Sequence, residues 1–488
     1  MPRPHLDHVA VRFRRPPTPS QRRAIADRCH LLPFSGRHRI PGEDFALLTV
    51  APTAEPRRTR YARSVAALSA HPEVAGIAMV HRHNGGRYFA TDRVWLEAAG
   101  GIDSTGVRKL LGRGARILAT VEGREFLVQL PRGANPAATC ARLAKLPSVR
   151  YAEPDWVILG RKHSSQSAQN AGSATGQFCV RITHTTAAWR LIRGNAGIVV
   201  AIIDDGVMTE HPDLRGCLTA NVDATGSRGA PHPKPWDSHG TGCAGLAVGT
   251  NRVRGGVKGV AAGCSLMAVR VGYTPTRDGD YLCKTAWIRR GIDWAWQHGA
   301  DVISMSFGGG PRSAPVVKAL DRARRRGRGG KGSVLVAAAG NSADPGAPVE
   351  FPGSLPFVLT VGATNRKDQP QTRIDRTSIW VSNSGPEVNI GAPGVNNYTC
   401  TIPDPDEGEM DLNDPGFSGT SAATPLVAGA AALLLSVNPD LTEAEVRALL
   451  CETAVKIGPA AYHGGRNDQV GTGRLNVLAA VRSARPPH

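Results

Sequence analysis

Four side chains in this 488-residue sequence could together run acyl transfer at a serine: Asp204, His239, Asn341 and Ser421. Ser421 lies in Phe417–Pro425 (FSGTSAATP), where a glycine turn runs into a long Ala/Leu stretch. A hydroxyl at a helix N-terminus faces free N–H groups and the positive end of the helix dipole, so it either caps the helix or attacks an electrophile. His239 lies in Asp237–Gly245 (DSHGTGCAG), opening a helix of very small residues that let backbone approach closely. A histidine titrates near neutrality, so it can take the proton that makes a serine hydroxyl nucleophilic and return it to a leaving amine. Asp204 ends the apolar run Gly197–Ile203 and either caps the next turn or holds an imidazole in one tautomer. Asn341 follows Ala337–Gly340 (AAAG), where an asparagine is most often a turn residue. Each residue alone has a structural alternative. The order Asp, His, Asn, Ser is what favours the catalytic reading.

The elements that must hold these groups are legible as apolar runs. Gly197–Ile203, Ser265–Val271, Val302–Ser306, Ser333–Ala338 and Phe357–Gly362 are continuous enough to be strands buried on both faces, hence parallel. Helical stretches at 285–298 and 314–325 alternate with them, which predicts an α/β doubly wound sheet. In such sheets functional groups gather at the carboxyl ends of strands. Asp204, Ser306–Gly308 and Gly340–Asn341 all fall there. The uncharged segment after Ser421 must be a buried helix, starting near Ser421 so that Pro425 stays in its first turn. Its apolar run, Leu426–Val437, is about a dozen residues, too short to cross a bilayer. Two further helices are expected at 441–453 and 475–483.

Residues 1–160 read as one unit written twice. The first copy (1–85) has strands at 7–13, 45–50 and 71–80 and helices at 18–29 and 59–68. The second (86–160) has strands at 92–96, 117–121, 126–130 and 146–157 and helices at 104–111 and 135–145. Each is read as a β-α-β-β-α-β, ferredoxin-like α+β repeat. Residues 161–176 are small and polar, a linker and a natural place for a proteolytic nick. Residues 177–488 form the α/β domain.

At this point the chain resembles the subtilisin-like serine protease family (peptidase S8). The motifs carrying the resemblance are Asp204–Val207 (DDGV), His239–Thr241 (HGT), Ala339–Asn341 (AGN) and Gly419–Pro425 (GTSAATP), and it covers roughly residues 180–485. Asp, His, Ser is that family's chain order. The resemblance implies a serine endopeptidase with Asp204, His239 and Ser421 as its triad. The Asn341 amide and the Ser421 backbone N–H would form the oxyanion hole. Ser306, Phe307 and Gly308, and Ala338, Ala339 and Gly340, would line the substrate cleft, the first segment pairing with peptide backbone as an added strand. Glu153–Val157 (EPDWV) resembles the end of a family propeptide. The second repeat would then be an intramolecular chaperone and inhibitor with its tail in the cleft, and self-processing would fall in or near residues 157–176. The first repeat is extra, either a second propeptide-like domain or a recruitment module; the alternative for the whole chain is an inhibited or non-catalytic binding protein whose N-terminal repeats recruit partners. The Asp204-Asp205-Gly206 box, Gly327–Ser333 and Cys243 also resemble the kexin-like branch, which cleaves after basic residues. The segment following Phe307, Gly308–Ser313 (GGGPRS), has no acid, so that specificity is not carried over. Cys243 reads as a buried core thiol.

Composition bounds the remaining classes. Net charge is +19, and residues 1–165 hold 27 Lys and Arg against 13 Asp and Glu. The arginines are scattered, with no interleaved aromatic platform, so a solvated surface is expected and nucleic-acid binding is not. The partners expected are protein or peptide substrates and the chain's own N-terminal region. Nine cysteines without zinc spacing, and a start without an apolar leader, favour a cytoplasmic, reducing location, with one or two disulfides in the C-terminal half left open. No cofactor is required for the chemistry and no metal ligands are assigned. Structural calcium is common in the family, but no loop here has nameable ligands.

Overall fold

A computed structural model of the chain describes residues 3–34, 45–83, 86–100, 102–131, 133–160, 177–226, 232–252, 255–277, 279–372, 380–408 and 411–486. The expected linker, 161–176, lies outside the described residues. The chain divides into two compact units. One holds Met1–Arg161 with Pro275–Ala286 and Ser313–Pro315; the other holds Lys162–Thr274, Trp287–Arg312 and Val316–His488.

The second unit is built on a seven-stranded parallel sheet. Its spatial order is Val388–Pro393, Leu359–Thr364, Val334–Ala338, Val302–Met305, Val199–Asp204, Ser265–Arg270, Leu218–Asp223. The strand earliest in sequence, Val199–Asp204, thus sits between Val302–Met305 and Ser265–Arg270. That is where strand order reverses, the position at which α/β sheets open a crevice. The five runs singled out in the sequence are five of these strands. The two others are the sheet edges. Leu218–Asp223 alternates half-buried and exposed positions, and Val388–Pro393 carries Asn389, Gly391 and Pro393, so neither reads as an apolar run.

The central helix is Thr420–Val437, with 16 of its 18 residues buried. It packs on the helix His239–Val248 and on the strands Val199–Asp204, Val302–Met305, Val334–Ala338, Leu359–Thr364 and Val388–Pro393. Two expectations about it are corrected. First, by length and composition this helix is long and apolar enough to cross a membrane, with a mean hydropathy of 1.6; here it is enclosed by protein. Second, the helix starts at Thr420, beside Ser421 as expected and with Gly419 as N-cap, but Pro425 falls beyond the first turn. A proline there leaves the carbonyl four residues earlier without its helical donor. That carbonyl belongs to Ser421, and it is satisfied from outside the helix by Ser306 Oγ at 3.0 Å and Cys243 Sγ at 3.6 Å. Ser421 therefore does not act as a side-chain cap.

In the first unit the sheet is antiparallel. Its order is Tyr281–Lys284, Val149–Gly160, Gly86–Ala98, Val74–His83, Arg3–Phe13, Phe45–Thr49. Glu125–Gln129 also pairs with Gly86–Ala98, and Arg116–Val121 pairs with Glu125–Gln129. The helices start where capping chemistry dictates. Thr18 makes a capping box with Gln21 ahead of Pro19, Asp103 caps Ser104–Leu111, and Asn135 precedes Pro136. Each copy has its own hydrophobic core, one around Leu48 and Leu68, the other around Leu96, Phe126 and Leu143. The second copy runs strand, helix, strand, strand, helix, strand. The first shows strand, helix, strand, helix, strand among the described residues; 35–44 lie outside them.

All nine cysteines are free, which leaves no disulfide in the C-terminal half.

Candidate active site

Three neighbouring strands of the parallel sheet deliver the candidate residues from their carboxyl ends. Asp204 ends Val199–Asp204, Ser306 follows Val302–Met305, and Gly340 and Asn341 follow Val334–Ala338. His239 and Ser421 come from the starts of the two packed helices.

The helix His239–Val248 can approach the Asp204 strand only because its second residue is glycine. A Cβ on Gly240 would lie 2.2 Å from the Gly206 carbonyl oxygen and 2.9 Å from Asp204 Cβ. The helix has no cap from Ser238. Asp205 takes that role from the neighbouring strand end, accepting the Gly240 N–H at 2.8 Å. Asp204 is then in reach of the imidazole: its two carboxylate oxygens lie 2.9 and 3.0 Å from His239 Nδ1. A carboxylate can only accept, so Nδ1 carries the proton and Nε2 is left as the basic nitrogen. The Asp204 carboxylate also accepts the Asp205 N–H at 2.8 Å.

Burial pushes the His239 imidazole down. The charge and hydrogen bond of Asp204, with the charge of Asp205, outweigh this and raise it to about 9. Asp205 itself is held well above the usual carboxylate range by burial and by the like charges of Asp204 and Asp237. The Phe417 ring sits edge-on to the imidazole, 5.4 Å between centroids.

Ser421 and Ser306 exchange reciprocal bonds: each hydroxyl donates to the other's carbonyl at 3.0 Å. The Ser421 hydroxyl is thus parked on Ser306 and makes no hydrogen bond to His239. Nucleophile–base bonds are often loose without substrate, and rotation about one bond frees this hydroxyl. Cys243 is fully buried, with its thiol raised well above its ordinary range by burial first, which is the core residue expected from sequence.

Asn341 is oriented by a residue that the sequence reading passed over. Its Oδ1 accepts from both the Thr420 N–H at 2.8 Å and Thr420 Oγ at 3.0 Å. That fixes which end of the amide is oxygen and leaves Nδ2 as a free donor. Gly419 has φ 124°, and a Cβ there would lie 3.0 Å from Asn341 Nδ2. Only glycine lets the helix start this close to the amide.

The two expected cleft segments differ in how far their backbone is committed. Ala338 pairs with Val361, and Ala339 donates to the Val361 carbonyl and accepts from Glu350 N–H. Gly340 donates to Thr420 Oγ and accepts from Asn383 N–H. Both backbone groups of Ala339 and of Gly340 are thus bonded. On the other wall Ser306 is buried, Phe307 is half-buried and Gly308 is exposed, and among the described residues no backbone hydrogen bond involves Phe307 or Gly308.

One charged residue here was missed by sequence reasoning. Glu350 is only 8 % exposed, lies against Gly308 and Gly340, and burial alone raises its carboxyl to about 7. It sits in a loop with no motif around it, so nothing in the sequence could have flagged it.

Among the described residues two donor clusters could suit a metal: Asp204 with His239 and Cys243, and His211 with Asp213 and Cys400. Both are poor in oxygen. In the second, Asp213 already accepts the Arg252 and Val257 N–H groups at 2.7 and 2.8 Å.

Residues 195–475 match the Subtilase family. The chain is 35 % identical over 347 residues to Subtilisin E of Bacillus subtilis (strain 168), covering 70 % of this chain and 77 % of that protein. It is 30 % identical to the Calcium-dependent protease of Nostoc sp. (strain PCC 7120), covering 98 % of this chain and 78 % of that one. Among solved structures it resembles fervidolysin from Fervidobacterium pennivorans, a keratinolytic enzyme related to subtilisin. There the TM-score is 0.64 at 22 % identity, over 82 % of this chain and 62 % of that longer one.

Proposed function

Since the chain belongs to the subtilase family and is a subtilisin-like serine endopeptidase, we propose that Asp204, His239 and Ser421 are its triad and that it is made as a self-processing proenzyme. The observation that carries the triad is the Asp204–His239 pair, which leaves Nε2 basic on a helix packed against the one that bears Ser421. In this reading Nε2 removes the Ser421 proton as Oγ leaves Ser306 and attacks the peptide carbonyl. The proton later passes to the departing amine, and Asp204 stabilises the imidazolium between the two steps. The tetrahedral oxyanion is held by Asn341 Nδ2 and the Ser421 N–H at a helix start, where the dipole also favours negative charge. Peptide backbone pairs with the unbonded stretch at Phe307 and Gly308.

The proenzyme reading is supported within the first unit. Val149–Gly160 ends as a strand antiparallel to Tyr281–Lys284, from Val157↔Lys284 to Gly160↔Tyr281. Asp155 accepts from Thr285 Oγ at 2.7 Å and Ala286 N–H at 2.9 Å, and Glu153 accepts from Ser313 Oγ at 2.7 Å and Ala314 N–H at 3.0 Å. The EPDWV segment is thus anchored to residues far along the chain, directly ahead of the expected processing region. Calcium dependence belongs to the names of two relatives, from Nostoc sp. and Trichormus variabilis. The two oxygen-poor clusters do not fit an ion that takes six to eight oxygens, and no calcium site is assigned here.

The test is peptide hydrolysis and fluorophosphonate labelling of wild type beside Ser421→Ala. Wild type is expected to cut and label; the variant should do neither, with kcat lower by on the order of 10⁶. Equal activity in both would refute Ser421 as nucleophile.

A further inference from the structure

We propose that Glu350 selects arginine and lysine as the residue whose carbonyl is cut, given that Ser306–Gly308 and Ala338–Gly340 wall the cleft as read above. The placement comes from backbone bonds on both sides. Glu350 N–H donates to the Ala339 carbonyl at 2.9 Å, and the next carbonyl, of Phe351, accepts from Gly309 N–H at 3.1 Å. The 350–351 segment therefore stitches the two walls together, and its carboxyl lies between their glycines. A Cβ on Gly308 would stand 2.4 Å from Glu350 Oε2, and one on Gly340 would stand 2.9 Å from its Cδ. Both positions need to be glycine for the carboxylate to sit there.

That carboxylate has nothing to bind. Among the described residues Glu350 makes no side-chain hydrogen bond and no ion pair. Every other buried carboxylate of the same unit has a partner: Asp204 has His239, Asp205 has Gly240, Asp213 has Arg252 and Val257, Asp237 has Thr274, Asp293 has Arg322, and Glu443 has Arg324 and Arg447. Asp404 also interacts with a partner. A buried acid without a partner is costly to fold around, and structural acids are paired. An acid kept unpaired at a cleft is a binding group awaiting its counter-ion.

The distance to the reacting bond suits a long cation. Glu350 contacts Gly308, two residues past the Ser306 carbonyl that holds Ser421 Oγ, and Gly340, the neighbour of Asn341. Two extended residues span roughly 7 Å, which a lysine or arginine side chain covers and a leucine does not. Guanidinium would meet the carboxylate with paired hydrogen bonds in a site mostly shielded from water. Burial leaves the empty carboxyl half neutral near pH 7, and an arriving cation pulls it to the charged form.

The experiment compares kcat/KM for otherwise identical fluorogenic peptides ending in arginine, lysine, leucine, phenylalanine or alanine, using wild type, Glu350→Gln and Ser421→Ala. Wild type should prefer arginine and lysine, and Glu350→Gln should cut the arginine-over-leucine ratio by roughly 10²-fold. Benzamidine, a small aryl cation, should compete with substrate on wild type, which keeps the test open should Glu350→Gln fold poorly. A preference of wild type for leucine, phenylalanine or alanine, or an arginine-over-leucine ratio unmoved in folded Glu350→Gln, overturns the proposal while leaving the protease reading intact. Absence of any Ser421-dependent cleavage would instead overturn the protease reading, and this proposal with it.

Discussion

Two glutamates, one in each unit, are both raised by burial to about 7, and they are otherwise opposites. Glu153, in the antiparallel N-terminal unit, spends both oxygens on Ser313 and Ala314. Glu350, in the parallel-sheet unit, spends neither. A raised carboxyl pKa is thus common to a structural clasp and to a candidate binding group, and the partner list separates them. The units also differ in what surrounds their polar groups. In the first, many charges are solvated and the ion pairs Arg57–Asp7 and Arg63–Glu55 lie at the surface, where such pairs stabilise little. In the second, a Cβ at Gly240, Gly340 or Gly419 would lie within about 3 Å of a polar side chain, and both units bury charge, the first at Glu97, Glu125 and Asp155.

Substitutions can break this contrast, beginning with the largest effect. Asn341→Ala should lower kcat by about 10²–10³ with little change in KM, because the amide acts on the oxyanion only. An unchanged kcat would remove Asn341 from the site. The change in substrate ratio for Glu350→Gln comes next, at roughly 10²-fold.

The pH profile follows. His239 must be neutral to accept a proton, and Asp204 and Asp205 raise it despite burial. Activity should therefore rise with pH through a limb above the ordinary 6.5, towards about 9, and Asp204→Asn should move that limb down while also lowering the rate. A limb at or below 6.5 in wild type would contradict the pairing.

The smallest effect belongs to the first unit. In the Ser421→Ala background, Asp155→Ala removes the acceptor for Thr285 and Ala286 and should cost about 1–2 kcal/mol in thermal unfolding. No change would mean that the EPDWV anchor does not hold that strand.

What could be read from sequence follows how local each signal is. Strands buried on both faces announce themselves as apolar runs, so the five inner strands were visible. The edges, with Asn221 exposed in one and Pro393 ending the other, were not. Asp204, His239, Asn341 and Ser421 were legible because each sits in a short motif whose glycines are required by close approach. The helix starts beside Ser421 as expected, but Pro425 was misplaced in its first turn because the donors that satisfy the freed carbonyl, Ser306 and Cys243, arrive from other elements. Thr420 was visible in its motif, but its grip on Asn341 is a tertiary fact. Glu350 was illegible for the same reason: the glycines beside it lie on two separate segments, and the residues directly following Phe307 carry no acid.

The most direct measurement is the intact mass of the purified full-length chain, wild type beside Ser421→Ala. Wild type should be split near residues 157–176 and the variant should be whole. A variant split at the same place as wild type would contradict self-processing by Ser421.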